Sequence, residues 1–185
     1  MTQAVFSSPF KAKLFRPLKP GSDTTWTFVI LPKDISDRLP RRGRTTVDGA
    51  LNGCRFSATL EPDGKLSHWL LVTRELREAA GAQAGDVVAL EITPAQQESE
   101  PDIPADFLAA LEAHPEARSV WDSTTTIARV DWIHWITSAK QAKTRAQRVH
   151  DACDMLASGK RRVCCFDQSG YYSKAFCAPQ ADDGS

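Results

Sequence analysis

The chain has 185 residues, 42% apolar and 25% charged, and its 23 basic side chains balance 23 acidic ones, so the formal net charge is zero. That composition is globular: it excludes a disordered or collagen-like chain and lacks the positive excess of a non-specific nucleic-acid binder. At roughly 150 residues per domain it allows one or two domains, and a body of this size buries roughly 70% of its unfolded surface without needing a disulfide staple.

The first ten residues, MTQAVFSSPF, hold no basic stretch followed by an apolar one, so no signal peptide is expected. The densest apolar runs, 28–31 and 69–72, fall far below the ~20 residues of a membrane helix, and no C-terminal prenylation box is present. A cytoplasmic protein without membrane insertion is expected. Cys54, Cys153, Cys164, Cys165 and Cys177 are odd in number and irregularly spaced. With no CxxC spacing and no histidine pair nearby, they read as reduced thiols, not as a disulfide framework or a metal or redox cluster.

From Phe10 to Ile92 the pattern alternates with period two. Six strands are predicted, near 10–15, 25–31, 44–51, 54–61, 66–72 and 86–92. Cys54, Phe56, Ala58 and Leu60 alternate with Arg55, Ser57, Thr59 and Glu61, the pattern of a half-buried strand. Asn52-Gly53 marks a hairpin, because both central residues of its turn must tolerate positive φ, and Pro62-Asp63-Gly64 marks a second turn. Short helices are predicted over 34–39 and 74–80, the latter stopped by Gly81. Short antiparallel strands with one apolar face need closure to hide that face and their edges. The fold class is therefore α+β: a six-stranded antiparallel barrel or pseudo-barrel over 9–93, a polar linker over 94–102 and a small all-α domain over 103–162. A C-terminal extension over 163–185 follows, its tail loose after Tyr172.

Beyond the linker the period becomes helical. A helix carrying Phe107, Leu108 and Leu111 ends at His114-Pro115, a short one holds Val120-Trp121, and residues 123–126 cap a third with Val130, Ile133 and Ile136. Ser138 with Gln141 fits a capping box that begins the longest helix. Ala139, Ala142, Ala146, Val149, Cys153 and Leu156 share its apolar stripe. Ile133 and Ile136 fall off that stripe, so the chain must break near Thr137. Gly159 closes the helix.

The segment 132–148, WIHWITSAKQAKTRAQR, resembles the signature of the YdeI/OmpD-associated family, also labelled bacteriocin-protection, on Trp135, Ile136, Ala139, Lys140, Thr144, Arg145 and Arg148. The N-terminal half resembles the small β-barrel domain of unknown function that often precedes it. The resemblance there lies in Trp26, Phe28, Leu31-Pro32, Val47, Asn52-Gly53, Phe56, Leu60, Pro62, Gly64 and Gly85-Asp86. Lys143 stands where many relatives carry an acid, which makes the stretch more basic here. The resemblance implies a bacterial stress or envelope-protection context and carries no catalytic residue with it.

Two basic runs are the candidate anion- or partner-binding residues. Between Asp131 and Asp151 there is no acid; Lys140, Lys143 and Arg148 are expected to project from the helix. Arg145, at the stripe's edge, is placed to pair with a carboxylate on the barrel or another helix. Arg41, Arg42 and Arg44, with Arg38, surround Pro40 and Gly43, and guanidiniums can grip phosphate bidentately. The alternative for both runs is a solvated face plus a structural arginine. His68, His114, His134 and His150 show no metal spacing, and GxSxG, P-loop and GxGxxG motifs are absent. No metal or cofactor is expected. Asp86 reads as a turn residue, and Trp121, Trp132 and Trp135 as core or inter-domain contacts. The favoured reading is a non-enzymatic protein binding an anionic small molecule or a protein; a nucleic-acid-binding regulator and an uncharacterised enzyme are the alternatives.

Overall fold

In a computed structural model, residues 8–164 and 166–182 are described; Cys165 and the first seven residues read for a targeting signal lie outside them. All six strands are found: β1 (Phe10–Lys13), β2 (Thr27–Ile30), β3 (Thr45–Leu51), β4 (Cys54–Pro62), β5 (His68–Val72) and β6 (Val87–Pro94). They pair antiparallel in the order β1-β6-β3-β4-β5-β2. The two ends of that order meet just past β1. Phe15 and Phe28 exchange backbone hydrogen bonds of 2.9 Å, which nearly closes the barrel. β4 makes the turn between its two halves, pairing with β3 along 54–60 and with β5 at Glu61 and Pro62.

The local signals act as expected. Asn52 (φ 47°) and Gly53 (φ 84°) form the two-residue turn that sets Leu51 opposite Cys54. The Asn52 side chain also accepts from the Ala89 amide at 2.9 Å, tying the hairpin tip to β6. Asp63 organises the next turn by accepting from the Lys65 and Ser67 amides at 2.7 and 2.9 Å. Thr73 caps α2 (Arg74–Ala79), and Asp86 accepts from the Gln83 amide at 2.8 Å, the turn role read for it. The helix predicted over 34–39 is shorter, α1 (Lys33–Ser36). Inside the barrel, Leu14, Val29, Val47, Leu51, Leu60, Val72 and Leu90 have no exposed surface. Gly49 in β3 is required by close approach: a Cβ there would lie 2.3 Å from the Glu91 carbonyl oxygen and 2.8 Å from the Phe56 ring.

The chain divides into two packing units, residues 98–168 and the remainder on either side. The second unit holds α3 (Ala105–Ala113), α4 (Pro115–Ser123), α5 (Thr126–Thr137) and α6 (Ala142–Ala157). Its core is Phe107, Leu111, Ala117, Trp121, Trp132, Ile133, Ile136, Val149, Ala152, Cys153 and Leu156. Pro115 occupies the first turn of α4, where its missing N–H costs nothing, and Thr125 caps α5 by accepting from the Ala128 amide at 3.2 Å.

Three expectations need correction. The capping box does not form: Ser138 ends α5, and α6 starts at Ala142 with no side-chain cap from Gln141. The hydroxyls turn backward instead. Thr137 Oγ1 donates to the Ile133 carbonyl at 2.8 Å and Ser138 Oγ to the Trp135 carbonyl at 3.0 Å, serving the orphan acceptors of the helix that is ending. The alanine stripe also fails in its first half. Ala142 and Ala146 are exposed, and burial begins at Val149 and continues through Ala152, Cys153 and Leu156. A methyl group is too short to reach neighbouring helices there, and long arginine chains make those contacts. Finally, the tail is tied back to the barrel unit as far as Asp182, not loose after Tyr172. Backbone bonds run from Ala178 N to Asp63 O (3.2 Å), from Leu18 N to Gln180 O (2.8 Å) and from Asp182 N to Arg16 O (2.8 Å). Gly64 admits this return, since a Cβ there would lie 2.1 Å from the Phe176 carbonyl oxygen.

Candidate functional site

The two basic runs lie in different units. In the barrel unit, Arg38, Arg41, Arg42 and Arg44 occupy the segment between α1 and β3. Arg42 Nη1 donates to Asp37 Oδ1 at 2.7 Å and to the Leu66 carbonyl at 2.8 Å. Arg44 Nε donates to Glu61 Oε2 at 2.9 Å across the β3–β4 pair. The Lys33 ammonium, and after it the Arg42 guanidinium, hold the Asp37 carboxyl below its usual value. Arg41 is half-buried and Arg38 exposed. Arg42 and Arg44 are thus engaged by acids of the fold itself.

In the helical unit the division is sharper. Arg145 makes a two-pronged contact with Asp106 of α3, Nε to Oδ2 at 2.7 Å and Nη2 to Oδ1 at 3.0 Å. Of the two partners expected for it, a carboxylate on another helix is the one found. The same contact holds the Asp106 carboxyl below its usual value. Arg148 turns toward α5, donating to the Trp135 carbonyl and to Ser138 Oγ (3.1 Å), with its guanidinium 5.4 Å from the centre of the Trp135 ring. It therefore locks the α5–α6 turn and does not project into water. Lys143 is on α6, whereas Lys140 lies in the turn before it; both are exposed. Neither has an ion pair or hydrogen bond among the described residues.

The barrel unit holds a buried Ser–His pair that no sequence motif marks. Ser36 Oγ lies 2.7 Å from His68 Nδ1, and His68 Nε2 lies 2.9 Å from the Gly43 carbonyl. A carbonyl only accepts, so Nε2 carries the proton and Nδ1 accepts from the serine. The arrangement resembles a nucleophile and its base, yet Ser36 is 1% and His68 0% exposed. No substrate reaches them; the pair fastens α1 and the arginine-bearing segment to β5. Its residues are 32 apart in sequence, and no local spacing announces it.

The barrel unit also carries a cavity of about 490 Å³, lined by Arg16, Trp26, Arg74, Arg77, Glu78 and Gln83 together with Thr24, Thr25, Thr27 and Ala84. The spacing of Arg74 and Arg77 was readable as a same-face pair on a short helix; that Arg16 and Trp26 join them follows from closure of the barrel.

Residues 100–159 match the family model described as Bacteriocin-protection, YdeI or OmpD-Associated, and residues 10–92 match the Domain of unknown function (DUF1905). No curated protein matches the chain. No helix among the described residues is long and apolar enough to cross a membrane.

Proposed function

We propose, from the match of residues 100–159 to the YdeI or OmpD-associated, bacteriocin-protection model and of residues 10–92 to DUF1905, that the chain is a bacterial protection factor that acts by binding an acidic protein partner. The observation that carries the reading is the split among the cations of the helical unit. Arg145 and Arg148 are engaged in holding α3, α5 and α6 together. Lys140 and Lys143 stand in water beside them, in a stretch without a single acid from Trp132 to His150. An ammonium on a flexible stem adapts to a carboxylate-rich surface without demanding a fixed planar geometry, and such charges set encounter rate and partner choice more than raw affinity.

A cytoplasmic site of action is supported by the thiols of Cys54 and Cys153. The first donates to the Ala79 carbonyl at 3.1 Å; the second is buried, and that burial raises its pKa.

The test is protection in the producing bacterium. A strain lacking the chain should be more sensitive to bacteriocin, and the wild-type chain should restore resistance. The K140E/K143E double variant should not, although its thermal unfolding should stay within about 0.5 kcal/mol of wild type, as for exposed positions without partners. Full protection by the folded double variant would overturn the reading.

A further inference from the structure

The cavity of the barrel unit brings positive charge and concave shape together. Its walls carry three guanidiniums, Arg16, Arg74 and Arg77, against one carboxylate, Glu78, so the lining is positive by two charges. Arg74 and Arg77 are three residues apart on α2 and face the same way. Arg74 gives its Nε to Glu78 Oε1 at 2.8 Å, and Arg77 gives Nη1 to the Thr25 carbonyl at 2.7 Å. Each keeps further N–H donors on its fork. The Arg16 side chain is exposed and makes no hydrogen bond or ion pair among the described residues. The lining also includes Trp26, whose side chain is held in place: its indole N–H donates to the Pro20 carbonyl at 3.0 Å, and the ring lies 6.2 Å from Phe28 and 6.4 Å from Trp69. A volume of about 490 Å³ admits a small molecule.

We infer that this cavity is a binding site for a small aromatic phosphate monoester, its phosphate held by Arg16 and Arg74 and its ring laid against Trp26. A phosphate monoester carries close to two negative charges at neutral pH and three acceptor oxygens, which matches a lining positive by two and rich in forked donors. Arg77 is the positioning group: its bond to the Thr25 carbonyl fixes α2 relative to the chain entering β2 and so sets the distance between the arginines and the indole. The Thr24 hydroxyl and the Gln83 amide, both lining the cavity, add polar contacts beside the phosphate.

Calorimetric titration of the full chain with phenyl phosphate, inorganic phosphate and benzene-1,3-dicarboxylate tests this. Phenyl phosphate should bind most tightly and should shift the Trp26 indole N–H resonance. The R16Q/R74Q double variant should weaken it about tenfold or more, the loss expected when charge-assisted hydrogen bonds go. Its melting temperature should not change, since the Arg16 side chain has no partner among the described residues and the Arg74–Glu78 pair is exposed. The proposal is overturned by no binding of phenyl phosphate, by equal binding to the double variant, or by tighter binding of the dicarboxylate. K140E/K143E, in the other unit, should leave the titration unchanged, so this inference and the protective role stand or fall separately.

Discussion

Trp132→Ala should destabilise the helical unit by roughly 3–5 kcal/mol, the usual cost of truncating a buried tryptophan. The side chain has no exposed surface and is, with Trp121, one of two buried tryptophans in the core that α3–α6 share. Its indole N–H donates to the Arg161 carbonyl at 3.2 Å, holding the chain that leaves α6, and its ring meets Trp135 edge-on at 6.3 Å. Removing the ring therefore opens a cavity, leaves a carbonyl without its donor and loosens the residue on which Arg148 rests. A helical unit this small holds only a few kcal/mol in reserve, so the loss should remove most of its cooperative unfolding transition in urea. Trp132→Phe refills part of the volume but lacks the N–H, and should fall between. A transition displaced by less than about 1 kcal/mol in the alanine variant would mean that the four helices are not organised around this ring.

His68→Leu should cost the barrel unit roughly 1–3 kcal/mol, because the Ser36 hydroxyl loses its buried acceptor, whereas the Gly43 carbonyl loses His68 but keeps the Thr45 hydroxyl at 3.1 Å. The same residue should make the barrel sensitive to mild acid. Burial lowers the His68 pKa, opposed by its bond to Gly43 and by the Asp63 carboxylate, and assisted by Arg42 and Arg41. The folded chain thus resists a proton that the unfolded chain takes up below about pH 6.5. Stability is full above that value and falls as the pH drops toward the depressed folded pKa, by at most about 1.4 kcal/mol per pH unit. His68→Gln keeps an N–H for Gly43 and an oxygen for Ser36 but has nothing to titrate. Its unfolding midpoint should change less than that of wild type between pH 7 and pH 5; parallel lines for the two proteins would remove His68 as the source.

The barrel was legible because its signals are local. The alternation in β4 is a property of nine consecutive residues, and the Asn52-Gly53 turn follows from the backbone freedom of two. The short helices were visible for the same reason, as was the break after Thr137, where the apolar phase of α5 ceases to match that of α6. The start of α6 was misread because Ser138 carries a hydroxyl that serves equally well as a cap for the helix ahead or as a donor to the helix behind. Nearby carbonyls of α5 were the groups in need, and a spacing rule cannot weigh one against the other.

The basic runs show the same limit more strongly. Lys140, Lys143, Arg145 and Arg148 look alike as a string of cations, yet their roles diverge completely once the chain is folded. Arg145 meets an acid 39 positions earlier, and Arg148 meets a carbonyl 13 positions earlier. Composition and periodicity were enough to dictate a sheet-built half, a helical half and the order in which they occur, since each residue's preference for strand, turn or helix acts over a few neighbours. Which charges are consumed, which remain in water, and that three arginines and a tryptophan line one cavity depended on packing between distant segments. An ion pair or a hollow is a relation between surfaces that do not exist until those segments meet.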